Sequence, residues 1–383
     1  MREKQLHNMA HLFRRLLLAR SVHVLVACGV VFFISTSIHA QPSEQSATPS
    51  VVDDPVASNL KALEEIFSLP ETEIDLARAK LTIDQMLDPR IDIEQTLQQI
   101  DIMASALREQ LPLEAKAREK LDALRKYLYQ TGPWNDHQPF SYDLSDPQGR
   151  NLSSKLLPSY LTTRKGNCVS MPILFIILGQ RIGLDVAAAT APEHVFVKYR
   201  DESGRQYNLE TTSGAGFARD AWMRQQMPMT DQAIASGIYM RTLTKKETVV
   251  LMSETLDTFY ARSGLDLARV ELAHLQLKHD PTSILAVLHL VSVYSRALNS
   301  YRMQAAPIAL LQPTREREVY FQLQQKRDYW LGQALALGWR DPTESLETAQ
   351  PVESESKQQI TSAQSKTSAK PKSTQKSNGG YAP

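Results

Sequence analysis

Apolar residues recur at three- and four-residue spacing from about Ala57 to Tyr129: Leu60, Leu63 and Ile66, then Ile83, Met86 and Leu87, then Leu97, Ile100, Met103 and Leu107. That is the period of a helix face, so the segment reads as a set of amphipathic helices, closed by Gly132-Pro133. Asn135 to Arg150, rich in turn formers and aromatics, reads as irregular. Leu156 to Leu161 reads as helix, and an apolar run from Cys168 to Leu184 as a buried one. Pro172 sits where a missing N–H costs least, and Gly183 can close the C-terminus. Three short runs then carry β-branched and apolar residues: Asp185 to Thr190, Val195 to Arg200 and Gln206 to Glu210. The last two flank the turn Asp201-Glu202-Ser203-Gly204. The predicted class is α+β, a helix feeding an antiparallel sheet with helices on either side.

Beyond Leu243 the helical period returns. Phe259-Tyr260, Ala268, Leu272-Ala273, Leu277 and Asp280-Pro281 are spaced as in one tetratricopeptide-like helix pair, and Ala334 to Leu337 with Asp341-Pro342 suit the end of a partial second copy. An ordinary helical hairpin fits the same pattern. From about Thr343 onward Ser, Gln, Lys, Thr and Pro dominate, a composition that cannot build a core. At the other end, Arg14, Arg15 and Arg20 precede an uncharged apolar run from Val22 to Ile38, the order of an export signal, with Ala40 offering a small residue for cleavage. The run is about 17 residues long, so an uncleaved membrane anchor is the alternative. Leu25-Val26-Ala27-Cys28 also resembles a lipoprotein box, although apolar residues continue well past it. The expected organisation is therefore a signal peptide or anchor (1–40), a linker (41–55), N-terminal helices (56–130), an α+β core (131–243), a helical region (244–343) and a disordered tail (344–383).

With 43 basic against 42 acidic side chains, no overall field draws the chain to nucleic acid. Any membrane contact would run through an uncleaved N-terminal segment. The chain has two cysteines, Cys28 in the expected signal and Cys168, so cleavage after Ala40 leaves a single thiol and no internal disulfide. Such a cysteine is either an inert core side chain or a reactive group.

A thiol attacks a carbonyl as thiolate, and its usual pKa of about 8.5 falls at a helix N-terminus or beside an imidazolium. Cys168 opens the apolar helix just after Gly166-Asn167. His194 precedes the apolar Val195-Phe196-Val197 and so starts a strand, while Glu210 ends the adjacent one, from which its carboxylate can reach the imidazole. Nucleophile, base and orienting acid thus come in turn from a helix and two neighbouring strands. Each has a plain structural reading as well: a small core residue, a core histidine, a turn cap. His274, His279 and His289 lack partners at ligand spacing, so neither a metal nor a cofactor is expected, and no carboxylate-rich calcium loop is present. Trp134, Trp222 and Tyr207 are candidates for cleft walls or core, and Ser213-Gly214-Ala215-Gly216 lacks both a P-loop lysine and a dinucleotide fingerprint.

Three blocks resemble the bacterial transglutaminase-like proteins of the core-2 type, some of which carry tetratricopeptide repeats: Arg164-Lys165-Gly166-Asn167-Cys168-Val169-Ser170-Met171-Pro172, Pro192-Glu193-His194-Val195-Phe196-Val197 and Tyr207-Asn208-Leu209-Glu210-Thr211-Thr212-Ser213-Gly214. A looser likeness extends over about residues 75 to 300. The resemblance implies a papain-like α+β fold and acyl chemistry on amides, either peptide hydrolysis or transamidation, through Cys168, His194 and Glu210. It also carries a caution, because many members lack the cysteine. This chain keeps it, but has Glu210 where the wider superfamily usually has Asp. The reading is an exported, periplasmic cysteine enzyme acting on a peptide or protein of the cell envelope. The alternative is a non-catalytic adaptor that holds a protein partner on its C-terminal helices.

Overall fold

The structure, a computed structural model, describes residues 54–304 and 315–341. The expected export segment, nearly all of the linker and the tail lie outside them. Four amphipathic helices lead: α1 (Pro55–Ser68), α2 (Leu76–Leu87), α3 (Ile93–Glu109) and α4 (Ala117–Tyr129). Aspartates open the first three, each accepting backbone N–H bonds from the first turn: Asp54 from Val56, Asp75 from Ala77 and Arg78, and Asp92 from Gln95.

The segment expected to be irregular holds a two-residue strand, β1 (Ser141–Tyr142), which pairs in parallel with β2 (Lys165–Gly166) across the short helix α5 (Leu157–Thr163). The period of 2 that betrays a strand needs more residues than this to show. Helix α6 (Ser170–Arg181) follows, and every residue from Ser170 to Gly179 is buried. Its apolar run is continuous because neighbours cover it on all sides. Helix α6 begins two residues later than the sequence suggests, leaving Cys168 on the turn before it. Gly183, at φ +73°, closes it in the left-handed conformation that glycine adopts most readily.

Strands β3 (Asp185–Ala191), β4 (His194–Arg200), β5 (Gln206–Glu210) and β6 (Gly216–Ala218) form one antiparallel sheet in that order. Strand β6 is three residues long and also escapes the sequence pattern. Short helices α7 (Asp220–Gln226) and α8 (Asp231–Ala235) lead to α9 (Lys245–Arg262), α10 (Asp266–His279), α11 (Ile284–Gln304) and α12 (Arg315–Ala336). Thr244 and Glu247 form a reciprocal capping box at the start of α9. These last four helices have 18, 14, 21 and 22 residues, lengths that do not recur as a repeat's would. Among the described residues no helix is long and apolar enough to cross a membrane.

The described residues up to Trp339 belong to one compact unit; of the second unit, residues 340–383, only Arg340 and Asp341 are described. The main apolar core runs from Leu63 on α1 through Phe175 on α6 and Val197 on β4 to Leu275 on α10. The leading helices therefore help bury the helix and sheet rather than standing apart from them. Under this core lies an ion pair with no solvent access, Lys80 with Asp84 on α2. The second Asp84 oxygen accepts the Leu157 N–H at 2.7 Å, tying α2 to the start of α5. Removing one partner of such a pair strands a buried charge. Lys80→Met is expected to lower stability by about 3–5 kcal/mol, measured by urea unfolding. Lys80→Met with Asp84→Asn should recover about half of that loss, because an amide still accepts the Leu157 N–H without carrying charge.

Candidate functional site

Cys168 sits on a turn that side chains hold from both ends. The Asn167 side-chain oxygen accepts the N–H groups of Val169 (2.9 Å) and Ser170 (3.1 Å), while its amide donates to the Ser154 hydroxyl (3.1 Å). The Ser170 hydroxyl accepts the Asn167 N–H and donates to the Ser154 carbonyl, both at 3.1 Å. At Gly166 a Cβ would lie 2.6 Å from both the Ser170 hydroxyl and the Tyr160 ring, so only glycine lets the chain pass here. The result is a half-buried Cys168 thiol at the mouth of α6. Its backbone N–H has no acceptor among the described residues.

His194 is placed by the turn before it. Ala191 pairs with His194, and Pro192-Glu193 forms the two-residue loop between them, with Glu193 at φ +56°. A proline followed by a left-handed residue is the pattern of a type II turn. Pairing of Val197 with Leu209 brings the start of β4 beside the end of β5, where Glu210 lies. His194 Nε2 and Glu210 Oε2 are 2.7 Å apart, with side chains only 2% and 7% exposed. The other Glu210 oxygen accepts the N–H (3.0 Å) and the hydroxyl (2.5 Å) of Thr212, which fixes the carboxylate. With Nε2 committed to Glu210, Nδ1 is the nitrogen left for Cys168, whose thiol interacts with the imidazole.

Burial alone would disfavour a charged imidazole. The Glu210 carboxylate and the Cys168 thiol outweigh it and push the His194 pKa up to about 10. Burial likewise works against the Glu210 carboxylate, but His194 and the two Thr212 donors hold it below the usual range. Burial and the Glu210 charge raise the Tyr129 phenol. Burial and the neighbouring Cys168 do the same to Tyr142.

Cys168 and His194 line one side of a cleft of about 280 Å³. Its other side comes from the C-terminal helices: Val250, Leu251, Glu254 and Thr258 of α9, and Asp280 to Leu285 leading into α11. Beneath that wall is a buried polar network. Arg269 grips Asp257 through two bonds of 2.8 and 3.0 Å, His289 Nε2 lies 3.2 Å from both Asp257 and Glu254, and Gln276 donates to Ser253 and Glu254 at 2.9 Å. Burial pushes the His289 pKa down to about 4, so its ring is neutral. Burial and the charge of Asp257 raise Glu254 well above the carboxylate range.

The structure thus brings Cys168, His194 and Glu210 together at one end of the sheet. The other sequence candidates lie elsewhere. Trp222 packs under the sheet, Trp134 donates to the carbonyls of Lys126 and Gln130, and Tyr207 bonds Asp201; none lines the cleft, where Tyr239 is the aromatic residue. His274 meets Trp330 and His279 stacks on Phe67, so both rings serve packing. Lys155, Tyr142 and the Glu254 wall carry no sequence motif. Only the loop geometry and the packing of α9 against β3 place them here.

Residues 94–247 match the Transglutaminase-like superfamily, a span that runs from α3 to the first turn of α9 and contains Cys168, His194 and Glu210. No curated protein and no solved structure matches the chain. The fold is a transglutaminase-like core with a helical C-terminal region.

The electrostatics of the pair can be measured by NMR titration of the His194 ring. In Glu210→Gln the carboxylate is gone while burial and the Cys168 thiol remain, so the His194 pKa should fall clearly below about 10. A raised folded-state pKa means that His194 contributes stability fully below pH 6.5, lost as pH rises through about 10. The lowered Glu210 contributes above its unfolded pKa and loses that contribution as pH falls through the folded one. Parent minus Glu210→Gln stability should therefore peak between these limits, measured by urea unfolding at several pH values.

Proposed function

We propose that Cys168, His194 and Glu210 form a catalytic triad that cleaves or transfers amide bonds. His194 Nδ1 takes the Cys168 proton, and the thiolate attacks the amide carbonyl. The tetrahedral intermediate collapses as His194 returns that proton to the departing amine, leaving a thioester on Cys168. Water completes hydrolysis, or a second amine completes transamidation, with His194 again moving the proton. Glu210 holds Nε2–H and offsets the imidazolium charge. The Cys168 N–H is the first oxyanion donor.

The observation that carries this reading is the buried 2.7 Å contact between His194 and Glu210, with the Cys168 thiol interacting with the same imidazole and the cleft in front. A core histidine needs one hydrogen-bonding partner. It does not need both a fixed carboxylate and a half-buried thiol beside the same ring. The glutamate in place of aspartate reaches the ring directly, its longer side chain anchored by Thr212. The export segment read in residues 1–40 belongs to the same proposal and would put peptides and proteins of the cell envelope within reach as substrates.

The test is the rate of Cys168 carbamidomethylation by iodoacetamide, followed by peptide mass mapping on the full chain at pH 5 to 9. The parent should react readily at pH 6, and His194→Ala should react about tenfold or more slowly there, recovering above pH 8.5. An unreactive thiol, or superimposable profiles in the two proteins, would sink the enzyme reading.

A further inference from the structure

Lys155 shares the cleft with Cys168, and it is unusually placed for a lysine. It ends a 3₁₀ turn (Leu152–Lys155) whose neighbour Ser154 anchors both Asn167 and Ser170. The turn that fixes the nucleophile therefore also fixes the start of the lysine side chain. Its stem runs past Gly149, where a Cβ would lie 3.7 Å from the Lys155 Cε. The side chain is half-buried, and its ammonium makes no hydrogen bond or ion pair among the described residues. Burial lowers its pKa, and the charges it senses most strongly after that are those of Cys168, Arg262 and Glu254.

A desolvated ammonium without a counter-ion is costly unless something supplies the counter-charge. Among the described residues, none of the acidic residues lining the cleft makes an ion pair with it. Glu247 and Asp280 both pair with Arg241, at 2.5 and 2.9 Å. Glu254 is occupied by His289 and Gln276, and its burial favours the neutral acid. Glu193 stands on the exposed turn at the rim. Among these groups the lysine charge remains uncommitted beside the nucleophile, in a space of about 280 Å³ that admits a small part of a substrate.

We infer that Lys155 is a specificity-determining residue that binds a carboxylate of the substrate beside Cys168, so that the site selects amides bearing a free carboxylate near the scissile carbonyl. The inference rests on the proposed thiol site and narrows its substrate class. The ammonium and the carboxylate form an ion pair inside the cleft, where low dielectric strengthens it. The apolar positions Val250 and Leu251 on the facing wall exclude water around it. Anionic amides are then held with their carbonyl at the thiol, and neutral analogues lose that anchor.

Two alkylating agents of nearly equal size separate these claims: iodoacetate, which carries a carboxylate, and iodoacetamide, which does not. Both are applied to the full chain, and Cys168 modification is read by peptide mass mapping. The ratio of the iodoacetate to the iodoacetamide rate constant should fall by about tenfold or more in Lys155→Met. In Lys155→Arg, which keeps the charge, the ratio should stay near the parent's. Circular dichroism establishes that each variant is folded. A ratio within about twofold of the parent in Lys155→Met overturns the inference while leaving the thiol site standing, including the case in which both rates fall together because the lysine merely stabilises the thiolate. A parent Cys168 that iodoacetamide does not modify overturns the thiol site, and this inference with it.

Discussion

A carboxylate and an imidazole that are almost wholly withdrawn from water constrain everything around them. Neither His194 nor Glu210 could hold its charge in that place alone, since burial opposes both. Together, at 2.7 Å and with Thr212 completing the carboxylate's shell, each makes the other's charge affordable. The pair is stable only if β4 and β5 stay in register and if the turn at Pro192-Glu193 delivers the histidine to the first position of its strand. A shift of one residue would turn the histidine to the opposite face of the sheet. The fold can thus be read as the means of keeping two strand ends and one helix mouth in a fixed relation.

The helix mouth is held by different physics. Helix α6 is buried on all sides, so its position is set by packing against α3, α4, α5 and the sheet. Its entry turn, by contrast, is polar and local, a small web of Asn167, Ser170 and Ser154 that needs glycine at position 166. Rigid packing gives the helix its place. The web gives the thiol its direction and leaves its N–H unengaged. This division leaves the thiol both accurately placed and half-exposed to the cleft.

Much of this was legible in the chain, for identifiable reasons. Long periodic segments such as α3 and α9 announce themselves, and the Cys168, His194 and Glu210 order follows from strands rich in β-branched residues on either side of a recognisable turn. Strands β1, β2 and β6 were not legible, because two or three residues carry no period and their pairing is decided by whatever lies alongside. Hydrophobicity continues through Cys168 and Val169 and so hides the true start of α6, which begins at Ser170 after the turn that the Asn167 side chain holds. The Lys80–Asp84 pair looks like an ordinary exposed i,i+4 pair in sequence, and only the covering elements make it a buried one.

The facing wall of the cleft was the least legible part, and it bears most on what the site can accept. The sequence pattern sets helix α9 and the turn into α11 apart as a separate helical region, yet they pack on the same core as the leading helices and close the space in front of Cys168. Most of that wall lies beyond residue 247, where the superfamily match ends. The core therefore carries Cys168, His194 and Glu210, while a region outside the match supplies much of the shape of the cleft in front of them. Such an arrangement separates chemistry from selection. The polar network of Asp257, Arg269, His289 and Gln276 fixes Glu254 in place at the cleft surface, where burial and the charge of Asp257 raise its pKa while the Gln276 hydrogen bond and Arg269 work the other way.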